Sequence, residues 1–316
     1  MRILVLGGTS FVGRAVVERA LATGHDVTLF SRGRTGSELF PDVERRIGDR
    51  DTGDYASLTG DGDSWDAVVD VSAYVPRHVG QAADALADRA GRYLFISTGS
   101  VYDRTQAPQE GLDEDCARLA PERGTEQVTG ETYGPLKVAC EDDVQARWGT
   151  RGTIVRPGVV AGPYDPTDRF TWWVRRAARG GRVALPGRPE QPVQVVDSRD
   201  LAHLVVALLA DDRPGTFNAV GPAEPTTLAA LVQTCAAAAG STVELVPVAP
   251  EPAPLVQPDP AADVLNRRSA ARARAVGLTA TPLATTAADV LAWDRERGEP
   301  ELSVGISPAR EAELLG

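Results

Sequence analysis

Tyr133 and Lys137 stand four residues apart in the segment Tyr133-Gly134-Pro135-Leu136-Lys137. On a helix such a pair shares one face, about one turn apart. An ammonium beside a phenol lowers the phenol's pKa from its ordinary value of about 10. A phenol tuned in this way can give or take a proton at a substrate oxygen. A third group must hold that oxygen. Thr98 is suited to the task, because it follows the apolar run Leu94 to Ile96, which reads as a strand. The carboxyl edge of an open α/β sheet is where such folds bind their ligands. A tyrosine four residues before a lysine also describes an ordinary surface pair. Its company sets it apart: a glycine turn at residue 7, a Ser-Thr strand end, and a strand that stops at Arg156-Pro157-Gly158.

The elements that must position these residues begin at the first residue. Ile3 to Leu6 is an apolar run that stops at Gly7-Gly8, a helical pattern follows to Gly24, and a second apolar strand closes on Ser31-Arg32-Gly33-Arg34. This spacing predicts a βαβ unit whose first turn holds a dinucleotide pyrophosphate. Gly7 and Gly8 permit the tight turn, and Gly13 lets the helix lie close to the strand. The free N–H groups and the dipole at the helix start favour an anion. Further strands are expected at Val43 to Ile47, Trp65 to Val71, Arg92 to Ile96 and Thr153 to Arg156. Helices are expected at Val79 to Ala90 and over 131 to 148. Such alternation gives a parallel sheet covered on both faces. Residues 103 to 129 read as a long loop, of a length that is often functional.

Beyond residue 160 the pattern shifts to a helix over Phe170 to Arg179, a strand at Val193 to Asp197 and a helix over Ser198 to Ala210. A short strand at Thr216 to Val220 and a helix from Thr226 to Ala239 follow, with Gly240 as its stop signal. Pro247 to Pro260 reads as an extended connector. Helices over Ala270 to Val276 and Thr285 to Arg297 finish the chain. The expected division is a dinucleotide-binding domain of residues 1–160 plus about 194–222, and a substrate lobe of 161–193 plus 223–316.

The chain has 316 residues, 42% hydrophobic, and a formal net charge of −11. That charge argues against nucleic acid or an anionic membrane surface as the partner. Three cysteines (Cys116, Cys140, Cys235) and three histidines (His25, His78, His203) are scattered without metal-ligand spacing. No metal site and no disulfide framework are expected, and a reducing, cytoplasmic location is the default. No apolar stretch reaches the ~18 residues of a membrane span.

Together these pieces resemble the extended or atypical short-chain dehydrogenase/reductases of the NAD-dependent epimerase/dehydratase family. The matching segments are Gly7-Gly8-Thr9-Ser10-Phe11-Val12-Gly13, Ser97-Thr98-Gly99-Ser100-Val101-Tyr102, Tyr133 to Lys137, Arg156-Pro157-Gly158 and Gln194 to Ala202. The resemblance implies a Rossmann-type doubly wound parallel sheet with a smaller, mixed α/β C-terminal substrate lobe. It also implies an NAD(P)-dependent reductase or epimerase that transfers hydride at a carbinol or carbonyl carbon. Tyr133 would be the acid/base, Lys137 would also grip the nicotinamide ribose, and Thr98 would bind the reacting oxygen. Val71, Ser72, Ala73, Tyr133 and Pro157 would line the cofactor. Stretches such as Trp65 to Pro76 are closer to an atypical subgroup with plastid RNA-binding members. The alternative reading is therefore a dinucleotide-binding protein that does not turn over.

An acidic residue at the end of the second strand suits NAD. This chain has Ser31, Arg32 and Arg34 there, which favours the 2′-phosphate of NADP over NAD. Asp49 and Arg50 end the third strand, where the family contacts adenine. For the substrate, a nucleotide sugar or a carbonyl metabolite, the candidates are Tyr74, Ser100, Arg169, Trp173 and Gln194. An arginine beside aromatic rings can hold an anion and stack a ring, although tryptophans serve more often as core anchors. Asp200 reads as a structural cap or partner, and Asp113-Glu114-Asp115 as a solvated patch. A homodimer is compatible with the resemblance.

Overall fold

The computed structural model describes residues 1–316. β1 (Arg2–Leu6) turns into α1 (Phe11–Ala22), and β2 (Asp26–Ser31) returns beside it. There follow β3 (Glu44–Ile47), β4 (Trp65–Asp70), α2 (Pro76–Leu86), β5 (Ala90–Ile96), α3 (Tyr133–Trp148) and β6 (Gly152–Pro157). The middle of the chain forms β7 (Val159–Ala161), α4 (Arg169–Ala178), β8 (Gly181–Leu185), β9 (Pro192–Val193), β10 (Val195–Asp197), α5 (Ser198–Ala210) and β11 (Gly215–Ala219). The remainder forms β12 (Thr226–Thr227), α6 (Leu228–Ala238), β13 (Val243–Pro247), α7 (Ala271–Ala275), α8 (Leu283–Glu296) and α9 (Pro308–Leu315).

Seven strands make one parallel sheet in the order β11-β6-β5-β4-β1-β2-β3. The direction of winding reverses between β1 and β4. At such a switch point the loops diverge and leave a crevice at the carboxyl ends of the strands. The apolar runs that make these strands are buried on both faces. Ile3, Val5 and Val69 pack with α1 and α5, whereas Leu4, Leu6 and Val68 pack with α2 and α3. Each such side chain contributes roughly 1.5–3 kcal/mol on burial.

A second core gathers Phe170, Trp173, Val183, Leu185, Leu231, Val290 and Leu291 from the middle and the end of the chain. The parallel ladder β7–β10 lies between the two cores. Val160 and Val196 join the sheet core, and Ala161 and Val195 join the second one. The period-2 alternation of strand side chains lets one short ladder serve both.

Several expected boundaries shift. The helix before β5 starts at Pro76, because a proline at the first helical position loses no hydrogen bond. Residues 103 to 129 are largely irregular, as expected. β8 and β13 pair in parallel, and α9 closes the chain. Neither was expected, since β8 and β13 are five-residue runs, each broken by one charged residue and parted in the chain by α5 and α6. No helix is long and apolar enough to cross a membrane.

Candidate active site

The turn after β1 is shaped by contact. A Cβ on Gly7, which has φ +93°, would stand 2.9 Å from Ser72 Cβ, and one on Gly13 would collide with the Gly7 carbonyl. Ser10 is the N-cap of α1, yet its hydroxyl makes no cap bond, and no acidic residue sits in the first turn. Amides so placed are suited to an external anion. Thr9, Phe11 and Val12 are half-buried around this turn. Phe11 holds φ +35°, a conformation that non-glycine residues rarely adopt. These residues fit the pyrophosphate of a dinucleotide.

Ser31, at the end of β2, accepts a hydrogen bond from the Gly33 amide. Arg32 and Arg34 are exposed, and Arg32 meets Asp51 at 3.5 Å. Asp49 caps its own turn by accepting from the Asp51 amide at 3.0 Å.

Arg50 differs from the expectation that it contacts adenine. Its guanidinium is buried and makes a bidentate pair with Asp70 at 2.6 and 2.7 Å. It also donates to Ser72 Oγ at 2.8 Å and to the Tyr55 hydroxyl at 3.1 Å. The Tyr93 hydroxyl donates to the same Asp70 carboxylate. A charge this engaged fastens the crevice floor and has little left for a ligand. Ser72 Oγ in turn donates to the Leu6 carbonyl at 3.1 Å, tying the loop after β4 to the end of β1. Val71 is half-buried beside it.

Thr98 follows β5 at the carboxyl edge. Its Oγ1 accepts from the Ser100 amide at 3.1 Å and donates to Ser100 Oγ at 3.2 Å. Tyr133 opens α3, whose next residue, Gly134, packs against the Ser100 carbonyl, and the Thr98 hydroxyl lies near enough to draw the phenol's pKa down. Pro135 lies in the first turn of α3, where it is tolerated. Tyr74 lies across from Tyr133 with ring centroids 6.4 Å apart. Pro157, the last residue of β6, is buried.

Lys137 lies one turn beyond Tyr133 and is buried. Its Nζ donates to the Ala73 carbonyl at 2.8 Å and to the Ile96 carbonyl at 2.9 Å. It also sits 4.5 Å from the Phe95 ring centroid and 5.2 Å from that of Tyr74. The expected lowering of the phenol's pKa by this ammonium does not occur. Burial pushes Tyr133 up from its usual value, with Thr98 and the Arg169 charge acting against the rise. Burial also pushes the Lys137 ammonium down, to about 8.

The substrate candidates divide. Tyr74 and Ser100 are exposed at the crevice, and Arg169 is an exposed residue whose charge reaches Tyr133. Trp173 is a correction: it is fully buried in the second core, and its indole N–H donates to the Pro254 carbonyl at 2.7 Å. Gln194 is another. Its amide donates to the Arg268 carbonyl at 2.8 Å and accepts from the Arg268 amide at 3.0 Å, so it holds backbone. Glu114 is also not solvated. It is buried and accepts from the Asn218 amide at 2.8 Å, while Arg156 joins it to Glu141 and Tyr102. Asp200 is structural as expected, accepting from the Thr281 amide at 2.7 Å.

The sequence profile of the NAD dependent epimerase/dehydratase family matches residues 3–220. The chain belongs to that family. It is 26% identical over 256 residues to the chloroplast stem-loop binding protein of 41 kDa b of Arabidopsis thaliana, covering 76% of this chain and 63% of that one. It is 25% identical over 226 residues to the 2-alkyl-3-oxoalkanoate reductase of Stenotrophomonas maltophilia, covering 65% and 64%. The chain thus spans less than two thirds of the length of these relatives. Among solved structures, the UDP-glucuronic acid 4-epimerase of Bacillus cereus in complex with NAD superposes with a TM-score of 0.70 at 16% identity, covering 94% of this chain and 99% of that one.

Proposed function

We propose that this protein is a nicotinamide-dependent oxidoreductase or epimerase that exchanges hydride at a carbinol or carbonyl carbon, with Tyr133 as its acid/base. The observation that carries this reading is the packing of the start of α3, which bears Tyr133, against the Thr98–Ser100 strand end, with Lys137 one turn below. A bound dinucleotide would supply the hydride acceptor or donor. Thr98 holds the reacting oxygen, and Tyr133 gives its proton to that oxygen in reduction or takes it in oxidation. The high phenol pKa keeps the proton on Tyr133 until it is needed. Lys137 uses two of its three N–H bonds on carbonyls and keeps one for a ribose hydroxyl.

NADP is the proposed cofactor. Arg32 and Arg34 are exposed beside Ser31, and an exposed pair such as Arg32–Asp51 is weak enough to yield to a 2′-phosphate. A second reading is dinucleotide binding without turnover.

Nicotinamide absorbance, followed with a panel of carbonyls and nucleotide sugars, tests the first reading. Tyr133→Phe should lower kcat by about 10²–10⁴ while changing cofactor affinity far less. Turnover indifferent to that substitution would sink the mechanism, and no turnover with any compound would favour the second reading. Arg32→Ala should weaken NADP binding and spare NAD. Equal loss of both would remove the case for NADP.

A further inference from the structure

Arg268 is a cation without a partner at the edge of this crevice. The residue is 9% exposed, its Nε is sealed and unpartnered, and no protein acceptor receives a bond from either terminal nitrogen. Its backbone is held on both sides by Gln194. The guanidinium lies against two glycines. A methyl on Gly99 would overlap Nη1, and one on Gly158 would stand 3.1 Å from Nη2. Gly99 directly follows Thr98, and Gly158 directly follows Pro157, so the fork sits between the carboxyl ends of β5 and β6. No carboxylate acts on it. Burial pushes its pKa down to about 10, and the only charged form near enough to oppose this would be that of Tyr102. Other buried arginines here are matched, Arg50 by Asp70 and Arg156 by Glu141. An unmatched buried cation is costly to the fold.

We propose that Arg268 anchors a carboxylate of the substrate, borne on a carbon close to the one that reacts. The assignment rests on reading the Thr98–Tyr133 crevice as the substrate site. With Nε sealed, the side chain offers only its two terminal nitrogens, and that end-on fork matches the two oxygens of a carboxylate. The closeness of Gly99 to Thr98 limits the substrate to short oxo- or hydroxy-acids or to sugars oxidised beside the reacting carbon.

The test uses the full chain loaded with NADP or NAD, and calorimetric titration with 2-oxobutanoate, 3-oxobutanoate, uncharged butan-2-one and inorganic phosphate. At least one oxo-acid should bind about 10- to 100-fold more tightly than butan-2-one. Arg268→Met should erase that preference, and Arg268→Lys should keep part of it. Arg268→Met should also melt within about 2 °C of the parent or above it, since it removes an unmatched buried charge. Three results would each overturn the proposal: a preference that survives in Arg268→Met, tighter binding of phosphate than of both oxo-acids, or a large fall in melting temperature that marks the guanidinium as structural. Binding is read without turnover, so these outcomes are separate from those of Tyr133→Phe.

Discussion

The Lys137 ammonium lies 2.9 Å from the carbonyl of Ile96, the last residue of β5, and so ties the first turns of α3 to the strand end that carries Thr98. The same nitrogen reaches the Ala73 carbonyl, so one side chain spans two loops of the crevice. Buried, it titrates at about 8. The ligand-free protein therefore carries the charge below that pH and loses it above. We expect kcat/KM to hold level on the acid side and to fall towards tenfold per pH unit on the basic side. A pH–rate profile checks this. Lys137→Arg, which stays charged far higher, should push the basic limb upward; a limb that does not move belongs to another group.

Asp70 and Arg50 form a bidentate buried pair under the crevice. Removing one partner strands the other. Asp70→Asn should cost about 3–5 kcal/mol, measured by urea unfolding. The double variant Asp70→Asn with Arg50→Met should recover part of the loss. Folding lowers the Asp70 pKa, because Arg50 and Tyr93 outweigh its burial. Its contribution is thus present at neutral pH, above the unfolded pKa, and is lost as acid takes the pH down through the folded one. The parent should lose stability in that acid range more steeply than Asp70→Asn does.

Gly13 faces the Gly7 carbonyl with no room for a methyl group. Gly13→Ala must part α1 from the turn after β1. Overpacking of this kind costs about 1–3 kcal/mol, and it displaces the amides proposed to bind the pyrophosphate. Dinucleotide affinity, measured by fluorescence titration, should fall at least tenfold in a chain that still folds. Undiminished affinity would separate this turn from the cofactor.

What the sequence made legible was local. The glycine turn, the apolar strands and the Tyr133–Lys137 spacing are each fixed by residues within a few positions of one another, and each carries a periodic or steric signature. Even so, the electrostatic reading of Lys137 failed, because a shared helix face does not say how deeply the fold will bury both groups. Arg50 was expected to contact adenine until Asp70, from another strand, engaged it. Glu114 looked solvated until Asn218 and Arg272 closed over it. Trp173 had two plausible fates, and only the packing of α4 against α6 and α8 decides between them. Arg268 sits in a basic run, Arg267-Arg268, with nothing nearby in the chain to mark it out. Its neighbours Gly99 and Gly158 lie more than 100 residues earlier in the chain.

β11, at one edge of the sheet, pairs with β6, yet β7 to α5 intervene between them. On the ribosome, then, the sheet cannot be completed until residue 219 has emerged, by which time α4 and β8 of the second core are already made and must wait for α6 and α8. No single cut in the chain separates the sheet core from the second core. A gene fusion or truncation that respects the crevice must respect the whole winding of the chain.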